Sequence, residues 1–125
     1  MPVGQILLDT DPLVAVCRKN DQYHDACVES QRDLAVPVLS CWPVITEAIY
    51  LVRESSRVVQ SIMSRIESGD IELLPLTARD VRPVATLLER YQDQDIDLAD
   101  ACLIHLAERE RVHTVFNTDQ RHFSV

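Results

Sequence analysis

Four short apolar segments, separated by longer stretches with helical periodicity, restrict the folds that this chain can adopt. Parallel β-strands need a crossover between them, and a helix is the usual crossover. Apolar strands without strict alternation are typical of sheets that helices cover on both faces. The sequence therefore predicts an α/β fold, with a central parallel sheet of four to five strands flanked by helices. The predicted strands are residues 5–9, 36–40, 71–76 and 112–116.

The stretches between the strands have recognisable helix ends. Ser68 and Gly69 form a C-terminal cap for the helix that precedes the third strand. Thr77 with Asp80 resembles a capping box, although Pro83 can distort the first turns of the helix that follows. The predicted helices lie near residues 12–18, 22–34, 43–54, 56–67, 77–91 and 97–110.

The size and composition of the chain are those of one globular domain. Its 125 residues are 46% hydrophobic and 26% charged, which disfavours an intrinsically disordered chain. No linker rich in Pro, Gly or Ser divides it, so we expect a single domain over residues 1–125. No apolar run approaches the roughly 20 residues that span a bilayer, and no secretion signal is evident. We therefore expect a cytoplasmic protein.

The net charge of −8 argues against non-specific adhesion to nucleic acid, which requires a basic surface. If several of the acids cluster around divalent cations, the rest of the surface is less acidic than this net charge suggests. Arginine, which binds phosphate in a bidentate manner, supplies nearly all the positive charge. Net charge therefore does not exclude phosphate contact. The candidate arginines are Arg18, Arg53 and Arg57, for which ordinary surface exposure is the simpler explanation.

Carboxylates follow the predicted strands. Asp9 ends the first strand in LLDTDPLV, and Glu47 lies one turn into the helix after the second strand. Asp97 and Asp100 open the last helix, and Asp119 follows the last strand by three residues. Parallel strands place their carboxyl ends at one edge of the sheet, where function usually lies. We therefore expect these five side chains to project towards one site.

Several carboxylates in one cavity destabilise the protein unless cations neutralise them. Hard oxygen ligands suit Mg²⁺ or Mn²⁺, and such sites typically perform phosphoryl chemistry. One metal ion can generate the attacking hydroxide, while a second, about 3.5–4 Å away, stabilises the leaving oxygen.

Each acid also has an ordinary structural explanation. The segments DTDP and NTDQ can both form turns. Asp97 can serve as the N-cap of its helix, with Asp100 near the positive end of the helix dipole. Glu47 can lie at a solvated edge. The order, placement and spacing of the acids together favour a metal site, whereas no single acid does.

Five segments together resemble PIN-domain ribonucleases, and most closely the VapC-like toxins of bacterial toxin–antitoxin pairs. They occur in the order expected of that family and cover nearly the whole chain. The segments are LLDTDPLVAV, WPVITEAIYLV, IELLPL, DLADACLIHLAE and VFNTDQRHFSV.

The resemblance implies which side chains form the site. Asp9, Glu47, Asp100 and Asp119 match the acids that hold divalent metals and perform catalysis in the family. Asp97 matches an additional acid found in many members. Supporting roles fall to Thr10, which matches a hydroxyl that commonly follows the first Asp, and to Asn117. Two departures from the family pattern are Asn117, where Thr or Ser is usual, and Asp11, where Ser or Asn is usual.

The resemblance further implies a Mg²⁺/Mn²⁺-dependent endoribonuclease that cuts tRNA, rRNA or mRNA. Such proteins are usually dimeric and pair with a small antitoxin whose C-terminal segment occupies the acidic groove. The alternative is a catalytically silent PIN fold that serves as an RNA-binding or interaction scaffold. A receiver domain and a haloacid-dehalogenase-like phosphatase are both disfavoured, because each needs a downstream lysine and Lys19 lies too early.

Other side chains that can carry chemistry receive structural roles. Trp42 and Tyr50 are expected to be packing anchors around the helix that carries Glu47. The four histidines are expected to be packing or surface residues. The cysteines lack C-x-x-C or zinc-finger spacing. We therefore expect them to be reduced and buried, and to pack as small apolar side chains. They are Cys17, Cys27, Cys41 and Cys102.

Overall fold

Parallel strands form the centre of the structure, a computed structural model that describes residues 5–18, 38–112 and 114–116. The helix predicted near residues 22–34 lies outside these ranges. In the described part of the chain the sheet contains β1 (Ile6–Leu8), β2 (Val38–Ser40), β3 (Ile71–Leu73) and β4 (Thr114–Phe116). All four are parallel, in the order β3-β2-β1-β4. The first strand is therefore internal, with Leu7 opposite both Leu39 and Val115.

Helices flank this sheet, as the α/β prediction requires. They are α1 (Thr10–Cys17), α2 (Trp42–Leu51), α3 (Ser56–Glu67), α4 (Val81–Arg90) and α5 (Leu98–Glu110), with 3-10 turns at Ala78–Asp80 and Gln92–Gln94. The strands are shorter than predicted. The first helix begins two residues earlier than predicted because Asp9 caps it. Helix α2, predicted over residues 43–54, ends at Leu51, because the chain turns there before Ser55 caps the next helix.

Two apolar clusters cover the two faces of the sheet. Successive side chains of a strand point to opposite faces, so Leu7 and Leu39 pack with α4 and α5, whereas Leu8 and Val38 pack with α1, α2 and α3. Leu103 of α5 is fully buried in the first cluster. The sheet is thus the middle layer of three, and its carboxyl edge remains available to the loops and helix ends.

Local capping sets the ends of the helices. The hydroxyl of Ser55 accepts a hydrogen bond from the Val58 N–H (3.3 Å) at the start of α3. This helix ends at Ser68 and Gly69 as predicted, and Gly69 has a φ of 91°, a conformation that glycine adopts without steric cost. These bounds were predictable because each depends on neighbours in sequence.

The predicted capping box ahead of α4 is confirmed. The Asp80 carboxylate accepts from the Thr77 N–H (2.7 Å), and the Thr77 hydroxyl accepts from the Arg79 N–H (3.3 Å). The segment opens as a 3-10 turn and becomes α-helical at Val81. Pro83 therefore lies in the first turn of α4, where an N–H has no partner within the helix.

A polar contact ties the start of α4 to α5. The Nε2 atom of His105 lies 2.7 Å from Oδ1 of Asp80, and Nη1 of Arg109 donates to the same oxygen (3.0 Å) and to the Pro75 carbonyl (2.9 Å). The hydrogen bond with His105, the Thr77 N–H and Arg109 together hold the pKa of Asp80 below its usual range. His105 is buried; it is a polar partner inside the core rather than an apolar packing residue.

Among the described residues, no helix combines the length and the apolar character needed to cross a bilayer.

We expect Leu103→Ala to lower the free energy of unfolding by about 2–5 kcal/mol, because it leaves a cavity in the cluster beneath α5. Urea denaturation followed by circular dichroism measures this change. Met63→Ala is the matched control, since Met63 of α3 is 40% exposed and its truncation should change stability by less than about 0.5 kcal/mol. Equal losses in the two variants would contradict the assignment of the core.

Candidate active site

Asp9 stands directly after the central strand β1 and is the N-cap of α1. Its Oδ1 atom accepts a hydrogen bond from the Thr10 N–H (2.7 Å). Only 4% of Asp9 is exposed. The turn explanation for Asp9 is wrong, because its side chain caps a helix that already includes Thr10, Asp11 and Pro12. Capping by itself does not require burial. It does not account for a carboxylate that is nearly closed off from water.

Thr10 connects α1 to α2. Its hydroxyl donates to Oε1 of Glu47 (2.9 Å), although the two residues are 37 positions apart. Glu47 is half-buried and also forms a side-chain hydrogen bond with Asp97. The predicted supporting hydroxyl thus fixes the predicted glutamate, and that glutamate reaches the start of α5.

Asp97 and Asp100 form a reciprocal capping box at the start of α5. The Asp100 N–H donates to Asp97 Oδ1 (2.9 Å), and the Asp97 N–H donates to Asp100 Oδ2 (3.1 Å). Asp100 is 3% exposed, whereas Asp97 is exposed. The capping explanation for this pair is correct. It coexists with the site, because Asp97 contacts Glu47 and the charge of Asp100 acts on Asp9.

The electrostatics of this acidic cluster, defined as Asp9, Glu47, Asp97 and Asp100, are unfavourable when all four are ionised. Burial raises the pKa of Asp9 to about 7, although the hydrogen bond from the Thr10 N–H lowers it. The negative charges of Asp100, Asp11 and Glu47 raise this pKa further. Burial also raises the pKa of Glu47, helped by the charge of Asp97 and the hydrogen bond with it, while the Thr10 hydroxyl opposes the rise. Asp9 and Glu47 therefore tend to retain protons.

The donor set of the acidic cluster has the chemistry of a hard-cation site. All four groups are carboxylates, and Mg²⁺ and Mn²⁺ prefer oxygen ligands. A divalent cation would also favour the ionised forms that burial disfavours. Within residues 5–18, 38–112 and 114–116, no three His, Cys, Asp or Glu side chains are grouped closely enough to hold one ion. The other predicted site residues, Asp119 and Asn117, lie outside the described residues.

A surface cleft of about 530 Å³ adjoins the acidic cluster, between α2 and the start of α5. Glu47 and Asp97 line it together with mostly apolar side chains. Trp42 and Tyr50 also line it and are 55% and 60% exposed, so the prediction that they are packing anchors is wrong. They lie on the solvent side of α2, whose buried face consists of Val44, Ile45 and Ala48.

The candidate arginines differ in their surroundings. Arg18 forms an ion pair with Glu54 and donates to the Leu51 carbonyl (3.1 Å). Arg53 donates to the Tyr50 carbonyl (2.6 Å), and its guanidinium carbon lies 3.9 Å from the centre of the Tyr50 ring. Arg57 is exposed. Of these three, Arg53 therefore contacts a residue that lines the cleft.

The described cysteines have no disulfide partner. Cys41 and Cys102 are buried, as predicted, and Cys17 is half-buried. Burial raises the pKa of the Cys41 thiol to about 12, so it remains a neutral, unreactive thiol at neutral pH. Cys27 lies outside the described residues.

The fold and the acids at its carboxyl edge define a class of protein. A family model described as the PIN domain matches residues 6–125, and the chain therefore belongs to the PIN domain family. It is 32% identical over 124 residues to Ribonuclease VapC26 of Mycobacterium tuberculosis (strain ATCC 25618 / H37Rv), covering 95% of this chain and 90% of that protein.

The crystal structure of M. tuberculosis VapC20, titled a sarcin-ricin loop cleaving toxin, superposes with a TM-score of 0.85. The match covers 93% of this chain and 91% of that one, at 17% sequence identity. At that identity the superposition shows a shared fold and no more. The PIN domain match and the relative at 32% identity confirm, at the level of the family, the resemblance inferred from the sequence.

We expect Asp9→Asn to stabilise the protein at pH 8 in the presence of EDTA. Below about pH 4, Asp9 is protonated in both the folded and the unfolded chain. Between pH 4 and pH 7 the unfolded chain ionises while the folded one retains its proton, so the free energy of unfolding falls as the pH rises. This loss is roughly 2–4 kcal/mol by pH 8, at about 1.4 kcal/mol per pKa unit. Asparagine keeps the acceptor for Thr10 and cannot ionise.

Urea denaturation at pH 4, 6 and 8 measures the difference between Asp9→Asn and the wild type. The stabilisation should grow with pH and be smallest at pH 4. Asp70→Asn is the control, because Asp70 is exposed in a turn. A difference that does not vary with pH would argue against the raised pKa of Asp9.

Proposed function

We propose that this protein is a divalent-cation-dependent endoribonuclease that hydrolyses RNA phosphodiester bonds, and that it is the toxin of a type II toxin–antitoxin pair. Membership of the PIN domain family and the similarity to a relative named as a ribonuclease support this function. The observation that carries it is the buried carboxylate of Asp9 beside Asp100 and Glu47, at the carboxyl end of the central strand.

In this proposal Asp9, Glu47, Asp100 and Asp119 would hold Mg²⁺ or Mn²⁺, with Asp97 as an additional ligand. The chemistry that such a cation supplies when bound is activation of water for attack on phosphorus and neutralisation of charge on the phosphate. Asp119 is included among these ligands only because of the family resemblance. Asn117 has a supporting role near it, in place of the more usual hydroxyl residue.

The protein's own side chains have separate tasks. Thr10 holds Glu47 in one orientation through its hydrogen bond of 2.9 Å. Burial, together with the charge of Asp97 and the hydrogen bond with it, raises the pKa of Glu47. Glu47 can therefore accept or release a proton when the phosphodiester bond is cleaved. The buried Asp9 stays next to the reacting group because the Thr10 N–H fixes its carboxylate.

The partners in this proposal follow from the family. A small antitoxin would occupy the acidic groove with its C-terminal segment, and a second copy of the chain would complete a homodimer in the cytoplasm. A short open reading frame adjacent to the gene, whose product copurifies with this protein, would support the toxin assignment. Copurification would also allow the stoichiometry of the complex to be measured by light scattering.

We expect the purified protein to cleave RNA in the presence of Mg²⁺ or Mn²⁺ and to lose this activity in EDTA. Asp9→Asn should lower the rate by more than about 100-fold, because even outer-shell partners of a metal contribute roughly 10- to 100-fold. Denaturing gels of ribosomal, transfer and messenger RNA measure cleavage. Mn²⁺ should also raise the melting temperature of the wild type more than that of Asp9→Asn.

Two outcomes would contradict the proposed mechanism. Cleavage that survives Asp9→Asn would mean that a different site, or a contaminating nuclease, acts on the RNA. RNA binding without cleavage of any substrate, and without stabilisation by Mn²⁺, would instead favour the catalytically silent scaffold.

We expect Thr10→Val to lower kcat by roughly 10- to 100-fold with little change in KM, because the hydroxyl orients Glu47 rather than contacting RNA. Valine keeps the volume of threonine in this buried position, so the fold should be retained. Thr10→Ser, which keeps the hydroxyl, is the matched control and should retain most of the activity. A loss of the same size in the serine variant would indicate a packing role for the methyl group instead.

A further inference from the structure

We propose that Ser40 is a positioning residue for the candidate active site, because its hydroxyl holds the main chain that leads into Asp9 against the segment that leads into the Glu47 helix. This inference rests on the proposed function and deepens it by adding a residue that acts on the site through the main chain. Ser40 ends β2 and has no part in the mechanism described above.

Ser40 is a polar side chain enclosed in the core, with none of its surface exposed to water. The two residues before it, Val38 and Leu39, belong to the apolar clusters on the two faces of the sheet. Burial of a hydroxyl is unfavourable unless it forms a hydrogen bond, and a small apolar side chain avoids this cost. The hydroxyl of Ser40 meets this requirement with a partner next to the acidic cluster.

The partner is the main chain of β1. The Ser40 hydroxyl donates to the carbonyl oxygen of Leu8 (3.0 Å), and Leu8 is the residue directly before Asp9. The register places Leu7 opposite Leu39, so Leu8 and Ser40 are the next residues towards the carboxyl edge of the sheet. The peptide group that joins Leu8 to Asp9 is planar, so fixing its oxygen also restricts the position of the Asp9 Cα atom.

The main chain of Ser40 is itself held from the other side. Its carbonyl accepts a hydrogen bond from the Leu74 N–H (2.9 Å), just after β3, and Ser40 pairs with Leu73 in the register of β2 and β3. Helix α2 begins only two residues later, at Trp42. The hydroxyl is therefore a donor whose position is set by β3 and by the start of the helix that carries Glu47.

Ser40 and Thr10 connect the same two segments in opposite directions. Thr10 follows Asp9 and donates to the Glu47 side chain (2.9 Å), whereas Ser40 precedes α2 and donates to the carbonyl before Asp9. One hydroxyl orients a side chain, and the other fixes a main chain. Together they set the separation of the Asp9 and Glu47 carboxylates, and a small divalent cation shared by two carboxylates tolerates little error in that separation.

We expect Ser40→Ala to weaken Mn²⁺ binding by about 10-fold, the lower end of the effect of outer-shell partners of a metal. Electron paramagnetic resonance of free Mn²⁺ during a titration of the protein measures this affinity without RNA. The kcat for RNA cleavage should fall by a similar factor while KM stays unchanged, because a side chain enclosed in the core does not contact the substrate.

Ser55→Ala is the matched control. It also removes a hydroxyl that bonds the main chain, since Ser55 accepts from the Val58 N–H (3.3 Å) at the start of α3. Both alanine variants should lower the melting temperature by about 2–8 °C, whereas Ser55→Ala should bind Mn²⁺ as tightly as the wild type. Ser40→Thr keeps the hydroxyl and should also retain wild-type affinity. An equal loss of affinity in Ser40→Thr would indicate packing rather than the hydrogen bond and overturn the inference.

Amide hydrogen exchange followed by NMR gives a readout that needs neither metal nor RNA. The Thr10 N–H donates to the Asp9 carboxylate (2.7 Å), so its exchange rate reports on how firmly this part of the chain is held. We expect the Thr10 N–H to exchange roughly 5-fold faster in Ser40→Ala than in Ser55→Ala, which is the effect of losing one hydrogen bond.

The outcomes separate this inference from the proposed function. Wild-type Mn²⁺ affinity and kcat in Ser40→Ala would overturn the positioning role and leave the nuclease assignment intact. If the wild type binds Mn²⁺ without cleaving RNA, weaker binding by Ser40→Ala supports the inference although the nuclease assignment is wrong. If the wild type binds no Mn²⁺, the exchange of the Thr10 N–H decides: faster exchange in Ser40→Ala supports the constraint on Asp9, and equal exchange in the two alanine variants overturns it.

Discussion

The site depends on one constraint: the Asp9 carboxylate is buried at the end of the central strand. Burial and the neighbouring charges of Asp100 and Glu47 disfavour its ionised form and raise its pKa to about 7. A protein selected only for stability would have no use for this arrangement. Under the proposed function it has one, because the repulsion that destabilises the protein without a cation would become affinity when a divalent cation binds.

Ordinary helix capping and the acidic cluster use the same side chains. Asp9 caps α1, and the reciprocal pair Asp97 and Asp100 caps α5. Each backbone N–H engages one oxygen and fixes the direction of the carboxylate without neutralising it. Because both helices begin at the carboxyl edge of the sheet, their caps meet there, and Glu47 joins them from α2 through Thr10. Local capping thus orients the acids, and the parallel sheet brings them together.

The rest of the molecule holds this edge in place. Apolar clusters cover both faces of the sheet, and the contact of Asp80 with His105 and Arg109 ties α4 to α5 away from the acidic cluster. Asp80 gains partners from folding, so its pKa is lowered, whereas the pKa of Asp9 is raised by burial. The same residue type therefore stabilises one part of the fold and destabilises another, depending on whether its charge is compensated.

The sequence by itself determined the features that depend on near neighbours in the chain. The α/β order, the bounds of α3 with its glycine stop, and the capping boxes at Thr77 and Asp97 follow from short-range hydrogen bonding and apolar periodicity. The family also followed from the sequence, through the resemblance of five segments to PIN-domain ribonucleases. Only the tertiary structure decided which side chains are enclosed. The periodicity of α2 shows an apolar residue at Trp42 but not whether another element covers it, and His105 is buried because Asp80, 25 positions away, comes close enough to pair with it.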